Sequence, residues 1–486
     1  MSKITNSISQ ALYQNKVAGI LLMATMAFAL VYRMPQLDAP LCYDEAFSYI
    51  HYASNPWPDP VFLYDYPNNH ILHTIAMKFS VDILGLSHFS LRLPALFGGL
   101  ILVVITFLIS RKTYGLPTAA MASFLIAISS TMVIYSTNGR GYSMMACCVT
   151  LIWYSLHRMV NGVSKKHFII LVMLQSAACM ISPVALLGIA VIHFYIYIKN
   201  RKAVTFLAKQ QVNSLVCTLL ISALFYLPAV LFTKEFNSDS IVSTTLPNLE
   251  KVKEMLHFIE GSFQYTIAGM PFFLMIVLGA GFIWGSIKEQ TSRIALASFF
   301  IFAMACWILP IQPPPLRSIS ILLPLVYILI SKNIFKALEK SAFDSKLNGL
   351  TIALVLIAAT LITHFKPTIA RDQYDVTPVK NHMKLFTILK KEMKNGDTIL
   401  TQFPMEASVR TYSKMYGLQP NLLSPENAYS GKTTIVLNRK LNQTETLSFE
   451  KNNIDEKRFL KTHRLEKSVI IDENTLLLLY SRTDQQ

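Results

Sequence analysis

The chain has 486 residues, 52% of them hydrophobic and only 15% charged, with a mean hydropathy of +0.41. A soluble globular protein keeps about a quarter of its residues charged, so the composition excludes an ordinary cytosolic enzyme and predicts many membrane spans. The net charge of +16 does not indicate nucleic acid, because much of it lies in short loops such as "RK" at 111–112, "KNRK" at 199–202 and "KNIFKALEK" at 332–340. That is the lysine and arginine excess of cytoplasmic loops.

Starting from a cytoplasmic N-terminus, the apolar run at 17–34 predicts a retained first helix rather than a cleaved signal. A polar outer stretch follows, "CYDEAFSYIHYASNPWPDPVFLYDYPNNHILHT" at 42–74. Residues 71–88 carry too much charge for a span and predict a helix lying at the outer interface. Spans are expected over 91–110, 116–136 and 142–158. Residues 168–198 are apolar with basic residues at both ends, which predicts a hairpin broken near Pro183.

A span over 212–232 leads to a second outer loop, 233–269, containing the amphipathic "LEKVKEMLHFIEG". Spans over 271–287, 294–310, 318–332 and 349–365 complete a set of about eleven, with "QPPPLRS" on the outside. The odd count places the tail outside. The expected division is a membrane domain over 1–365, with outer loops at 33–90 and 233–269, and an α/β domain over 366–486. In that tail "HMKLFTILKKEM" has helical period, whereas "DTILTQF" and "NTLLLLYS" have strand character. Five of the six cysteines fall in apolar runs and Cys42 alone lies in a polar loop, so no disulfide framework is indicated.

Polar groups gathered at one level of a membrane protein usually mark function, because each is costly to hold near lipid. A helix over 44–54 would align Asp44, Ser48 and His51 on one face, with Glu45, Tyr49 and Tyr52 beside them. Pro56, Pro58 and Pro60 end it, and Asn68 or Asn69 can cap the next helix. Such a turn could carry Asp65 and His70 back toward Asp44. Arg92, Arg140 and Arg317 sit at outer ends of spans, where a guanidinium fork suits phosphate oxygens. No D-x-D triplet or phosphate-cradling Gly-rich loop is present to hold a nucleotide sugar.

"YDEAFSYIHYAS", "YDYPNNHILHT", "SLRLPALFGGL", "STNGRGYSM" and "PPPLRS", in that order, resemble the GT-C membrane glycosyltransferases. That group includes the protein O-mannosyltransferases and the aminoarabinose transferases that modify lipid A. The resemblance covers most of the membrane region and is weak in the tail. It implies a polytopic α-helical GT-C fold with an outer C-terminal α/β domain. It also implies transfer of a sugar from a polyprenyl-phosphate donor to a hydroxyl of a glycan, lipid or protein, on the periplasmic side of an inner membrane. Asp44 takes the general-base position. Glu45, Asp65, Tyr66, Asn69 and His70 fall among the substrate contacts, and Arg92, Arg140 and Arg317 among the lipid-phosphate contacts. Relatives often carry proline after the second-motif histidine, where this chain has Ile71.

An acceptor hydroxyl needs a positioned base, and a phosphate leaving group needs cations. One base without a nucleophile predicts inversion, although a second carboxylate leaves retention open. A divalent ion held by Glu45, His70 and His73 is a further possibility, since carboxylate and imidazole suit one. The rivals are a transporter or lipid-linked sugar flippase, which would place its ionisable groups near the midplane, and a non-catalytic assembly factor.

Overall fold

The computed structural model describes residues 2–66, 68–160, 162, 164–200, 204–232, 249–308, 316–340, 349–364, 376–394, 397–418 and 425–483. The first part of the expected second outer loop (233–248), the "PPP" at 313–315 and Pro67 lie outside these. The chain forms two compact units. The first is Met1–Gln36, Val61–His73 and Pro94–Ile369; the second is Leu37–Pro60, Thr74–Leu93 and Ala370–Gln486. Two pieces of the expected first outer loop, 37–60 and 74–90, therefore group with the tail rather than with most of the long helices.

The helices begin with α1 (Ser2–Arg33), α2 (Tyr43–Phe47), α3 (Asp59–Phe62), α4 (Ile71–Leu84) and α5 (His88–Tyr114). Next come α6 (Leu116–Ile128), α7 (Ser130–Tyr135), α8 (Tyr142–Met159), α9 (Lys165–Ile181) and α10 (Ala185–Lys199). They continue with α11 (Val204–Phe232), α12 (Leu249–Ile267), α13 (Phe272–Lys288) and α14 (Gln290–Ile308). A 3-10 segment, Leu316–Leu322, leads into α15 (Leu323–Lys340), and α16 (Gly349–His364) follows.

Among the described residues, four stretches are long and apolar enough to cross a bilayer: Asn15–Asp38, His88–Tyr114, Leu207–Leu227 and Arg317–Lys340. A fifth arises if α12 and α13, bent by 120°, count as one. Leu116–Ile128, Ala185–Lys199 and Gly349–Ile362 are apolar but shorter. The expected count of about eleven broke only the run at Pro183, and at least one other run is broken. The span expected over 116–136 leaves helical geometry at Ser129 (ψ 119°) and resumes as α7.

In lipid, each break must satisfy its own backbone groups. Arg33, fully buried, donates to the Ile126 and Ala127 carbonyls at 3.2 and 3.1 Å, and to Ser136 Oγ at 2.7 Å. The Ser130 N–H, Thr131 Oγ1 and Tyr327 Oη donate to the carbonyls of Ala268, Tyr265 and Thr266 at 3.2, 2.8 and 2.7 Å. This contact admits only glycine at 269, where φ is +73° and a Cβ would lie 1.7 Å from Ser130 Oγ. The break at Pro183 falls where expected, between α9 and α10. Gln175 joins them through His193 Nε2 at 2.6 Å and accepts from Thr218 Oγ1 at 2.8 Å, the polar glue typical of membrane helices.

The tail contains both helices and strands: α17 (His382–Glu392), β1 (Thr398–Leu400), α18 (Glu406–Met415), β2 (Thr433–Asn438), α19 (Glu445–Lys451), α20 (Glu456–Thr462), β3 (His463–Ile470) and β4 (Thr475–Arg482). The sheet order is β1-β2-β4-β3, parallel between β1 and β2 and antiparallel elsewhere. One hydrophobic core joins Leu385, Phe386, Val409, Tyr412, Val436 and Leu477 to Leu41, Ala46, Tyr49 and Leu91. The loop segment is fixed by polar contacts as well. Tyr412 Oη accepts from the Leu41 N–H at 2.8 Å, Tyr43 Oη donates to Glu406 at 2.8 Å and Thr411 Oγ1 donates to the Ala46 carbonyl at 3.2 Å.

Candidate active site

The carboxylates of the first motif belong to the second unit. Asp44 opens α2, half-buried, where a negative side chain is favoured by the helix N-terminus. Beyond Phe47 the helix widens to a π turn over Ser48–Ala53, marked by the Ser54 N–H bonding to the Tyr49 carbonyl five residues back at 2.8 Å. Ser48 Oγ donates to the Asp44 carbonyl at 2.8 Å, and His51 stacks on Phe47 at 4.8 Å. The regular face expected for Asp44, Ser48 and His51 is therefore opened after its first turn.

Glu45 and Arg92 are used differently from the expectation. Both are fully buried, and they pair through Arg92 Nη2 and Nε, the latter at 3.2 and 3.3 Å from the two carboxylate oxygens. The remaining Arg92 donors go to the carbonyls of Leu37, Ala39 and Pro40 at 2.8, 2.6 and 3.1 Å. Charges this deep persist only when paired and hydrogen-bonded. Glu45, expected at substrate or a metal, and Arg92, expected at a lipid phosphate, instead lock the start of the loop together.

In the first unit the second motif meets the turn before α8. Arg140, 2% exposed, donates through Nη1 to the Asn68 carbonyl at 2.9 Å and to Asn68 Oδ1. The Gly141 N–H donates to His70 Nδ1 at 3.0 Å, which makes Nδ1 the acceptor and leaves the hydrogen on Nε2. Arg140 Nη2 lies 3.1 Å from that Nε2. Two donors thus face each other, and an anionic oxygen entering there would accept from both. The Tyr142 ring covers the pair, 5.0 Å from His70 and 5.9 Å from the guanidinium.

Burial, then Arg140, His73 and Arg317 in order, holds the His70 pKa well below 6.5, so the imidazole is neutral at physiological pH. His73, 1% exposed, is pushed down to about 3 by burial and then by Arg140. Its Nε2 has no hydrogen-bond partner among the described residues. Asn69, fully buried, donates to the Leu63 carbonyl at 2.7 Å and shapes the turn. Asp65 is half-buried and Tyr66 exposed.

The structure thus gathers His70, His73, Arg140 and the field of Arg317. It adds Asn68, Gly141 and Tyr142, which sequence reasoning left out of the site. The cue was available, since "NGRGYS" sets Arg140 between two glycines. With both His70 nitrogens facing donors and Glu45 on Arg92, two of the three residues considered for a metal are otherwise engaged. No group of three or more His, Cys, Asp or Glu side chains that could hold a metal ion occurs among the described residues.

Residues 68–232 match the family model for dolichyl-phosphate-mannose-protein mannosyltransferases. No curated protein sequence matches the chain. Among solved structures, ArnT from Cupriavidus metallidurans in the apo state is similar at TM-score 0.59 and 12% identity, over 95% of this chain and 98% of that one. The same protein bound to undecaprenyl phosphate gives 0.57 and 13%, over 94% and 97%. The archaeal oligosaccharyltransferase AglB from Archaeoglobus fulgidus, in complex with an inhibitory peptide and a dolichol-phosphate, gives 0.51 and 13%, over 93% and 73%. The chain therefore has the GT-C fold, that of the membrane glycosyltransferases its motifs resemble.

Proposed function

We propose that the chain is a glycosyltransferase that moves a sugar from a polyprenyl-phosphate carrier to an acceptor hydroxyl at the outer face of a membrane. The observation that carries this reading is the apposition of Arg140 Nη2 and His70 Nε2, both buried, under the influence of a second arginine, Arg317. Preorganised donors of this kind stabilise the charge that develops on a departing phosphate. The 3-10 segment carrying Arg317 also lines an apolar cavity through Ile319 and Leu322, a setting suited to an isoprenoid tail.

In this mechanism Asp44 takes the proton of the acceptor hydroxyl as that oxygen attacks the sugar carbon. The bond to phosphate breaks in the same displacement, the configuration inverts, and the carrier phosphate departs onto the arginines. Asp65, Tyr66 and Asn69 shape the sugar subsite. The active face is periplasmic, with the N-terminus cytoplasmic.

Mass spectrometry of lipid copurifying with the detergent-extracted protein tests the donor class. A polyprenyl phosphate, bare or glycosylated, supports the reading, and its consistent absence counts against it. Asp44→Asn then separates enzyme from flippase or scaffold. The enzyme loses nearly all transfer at unchanged abundance, whereas the other two tolerate the exchange.

A further inference from the structure

The apolar cavity has a volume of about 370 Å³ and lies within the first unit, bounded by α8, α10, α12 to α15 and the 3-10 segment. Along one wall Leu322, Leu325, Val326, Leu329, Ile330 and Asn333 follow one another at helical spacing. From Leu322 to Asn333 the slot runs roughly 16 Å at the rise of an α-helix. Its wall is mostly apolar, and the hydroxyls of Ser262, Thr266 and Ser298 in it donate to carbonyls of their own helices; at the far end two polar side chains meet instead.

There Ser292 Oγ donates to Asn333 Oδ1 at 3.1 Å, and Asn333 Nδ2 lies 3.0 Å from the same hydroxyl. Both residues are buried. The amide fits only because residue 285 is glycine; a Cβ there would lie 1.9 Å from Asn333 Nδ2. Three helices, α13, α14 and α15, are thus drawn together at one level. In the neighbouring turns Lys332 and Lys336 bind Glu289 at 3.2 and 2.8 Å, which closes the same end with charge. An apolar chain descending the slot meets an amide and a hydroxyl already satisfied by each other, with nothing further to pack against.

We propose that the Asn333–Ser292 pair is a length stop that determines carrier specificity. It limits protein recognition to the first three or four isoprene units, each roughly 5 Å long when extended from carbon–carbon bonds of about 1.5 Å. The rest of the tail leaves the slot sideways and lies in lipid, where it gains nothing from the protein because lipid is equally apolar. This inference rests on the polyprenyl-phosphate reading given above.

The test is binding of geranyl, farnesyl, geranylgeranyl and undecaprenyl phosphates to the full-length protein in lipid nanodiscs, measured by native mass spectrometry. Affinity should rise about tenfold from geranyl to geranylgeranyl and then change by less than about twofold to undecaprenyl, since only packed groups contribute. In Asn333→Ala the slot is deeper, and geranylfarnesyl phosphate should bind about threefold more tightly than geranylgeranyl phosphate, a preference absent from the parent protein. Asn333→Ser, which also shortens the blocking side chain, should move the plateau the same way and serves if Asn333→Ala does not accumulate. Affinity climbing steadily to undecaprenyl phosphate, or an unmoved plateau in both variants, overturns the length stop and leaves the donor class standing. Failure of all the prenyl phosphates to bind would remove both.

Discussion

The Gly141 amide donates to His70 Nδ1 at 3.0 Å, and this contact decides what the opposite side of the imidazole can do. With its acceptor used, the ring presents an N–H toward Arg140, another donor. Asn68 and the Tyr142 ring are among the groups that hold the two in place. Gly141→Ala tests this. Its φ of −76° suits alanine, but the new Cβ would meet Ile181 Cγ2 at 2.4 Å, His70 Nδ1 at 3.0 Å and His73 Cβ at 3.2 Å. Polyprenyl-phosphate affinity should fall about tenfold, with a loss of roughly 1–3 kcal/mol in stability from overpacking. Unchanged affinity in the folded variant would show that the imidazole does not position the ligand.

Glu45 and Arg92 make a contrasting prediction. Removing one member of a fully buried pair strands the other, so Glu45→Gln or Arg92→Met should cost about 3–5 kcal/mol. Replacing both by methionine should recover much of that loss, which thermal melting in detergent would show. If these residues touched substrate instead, the single variants would melt normally and fail only in transfer.

The histidines set a pH dependence with a definite sign. His70, His73 and His382 are all held below the ordinary imidazole value of 6.5, in each case by burial first. The unfolded chain therefore binds more protons than the folded one once the pH drops below about 6.5. Stability should be level above pH 7 and decline as pH falls from 6.5 toward the His73 value of about 3. Melting temperatures between pH 8 and pH 5 would show the slope, and His73→Gln should make it shallower. A melting temperature that stays flat or rises over that range would contradict the assignment of neutral imidazoles.

Tyr412→Phe isolates a single hydroxyl. Its loss orphans the buried Leu41 N–H and removes a partner 3.1 Å from His88 Nε2. An unsatisfied buried donor costs about 1–3 kcal/mol. Limited proteolysis should cut the variant sooner within residues 37–60, with no equivalent change inside the membrane helices.

The sequence exposed the broad architecture because hydropathy and helical period are local signals. The interruption at Pro183, the helix after His70 and the strands "DTIL" and "TLLLLYS" could all be read from short windows. The break at Ser129 could not, since it depends on Arg33, nearly a hundred positions away, to satisfy the Ile126 and Ala127 carbonyls. The motifs singled out Arg140, Arg317 and His70 as candidates. Arg92 and Glu45 were identifiable too, but their employment was not. A guanidinium at the end of a span looks the same in sequence whether it awaits a phosphate or is closed off by a carboxylate from another segment.

The shared core of Leu41, Tyr49 and Leu91 with Leu385, Val409 and Leu477 also governs how the chain is made. The early segment leaves the ribosome long before its packing partners exist. At roughly 5–20 residues per second the delay is on the order of tens of seconds. Through that interval its greasy side chains must be sheltered by something other than the finished protein, and a ribosome that stalls late releases a product whose first polar loop has never had an interior to join.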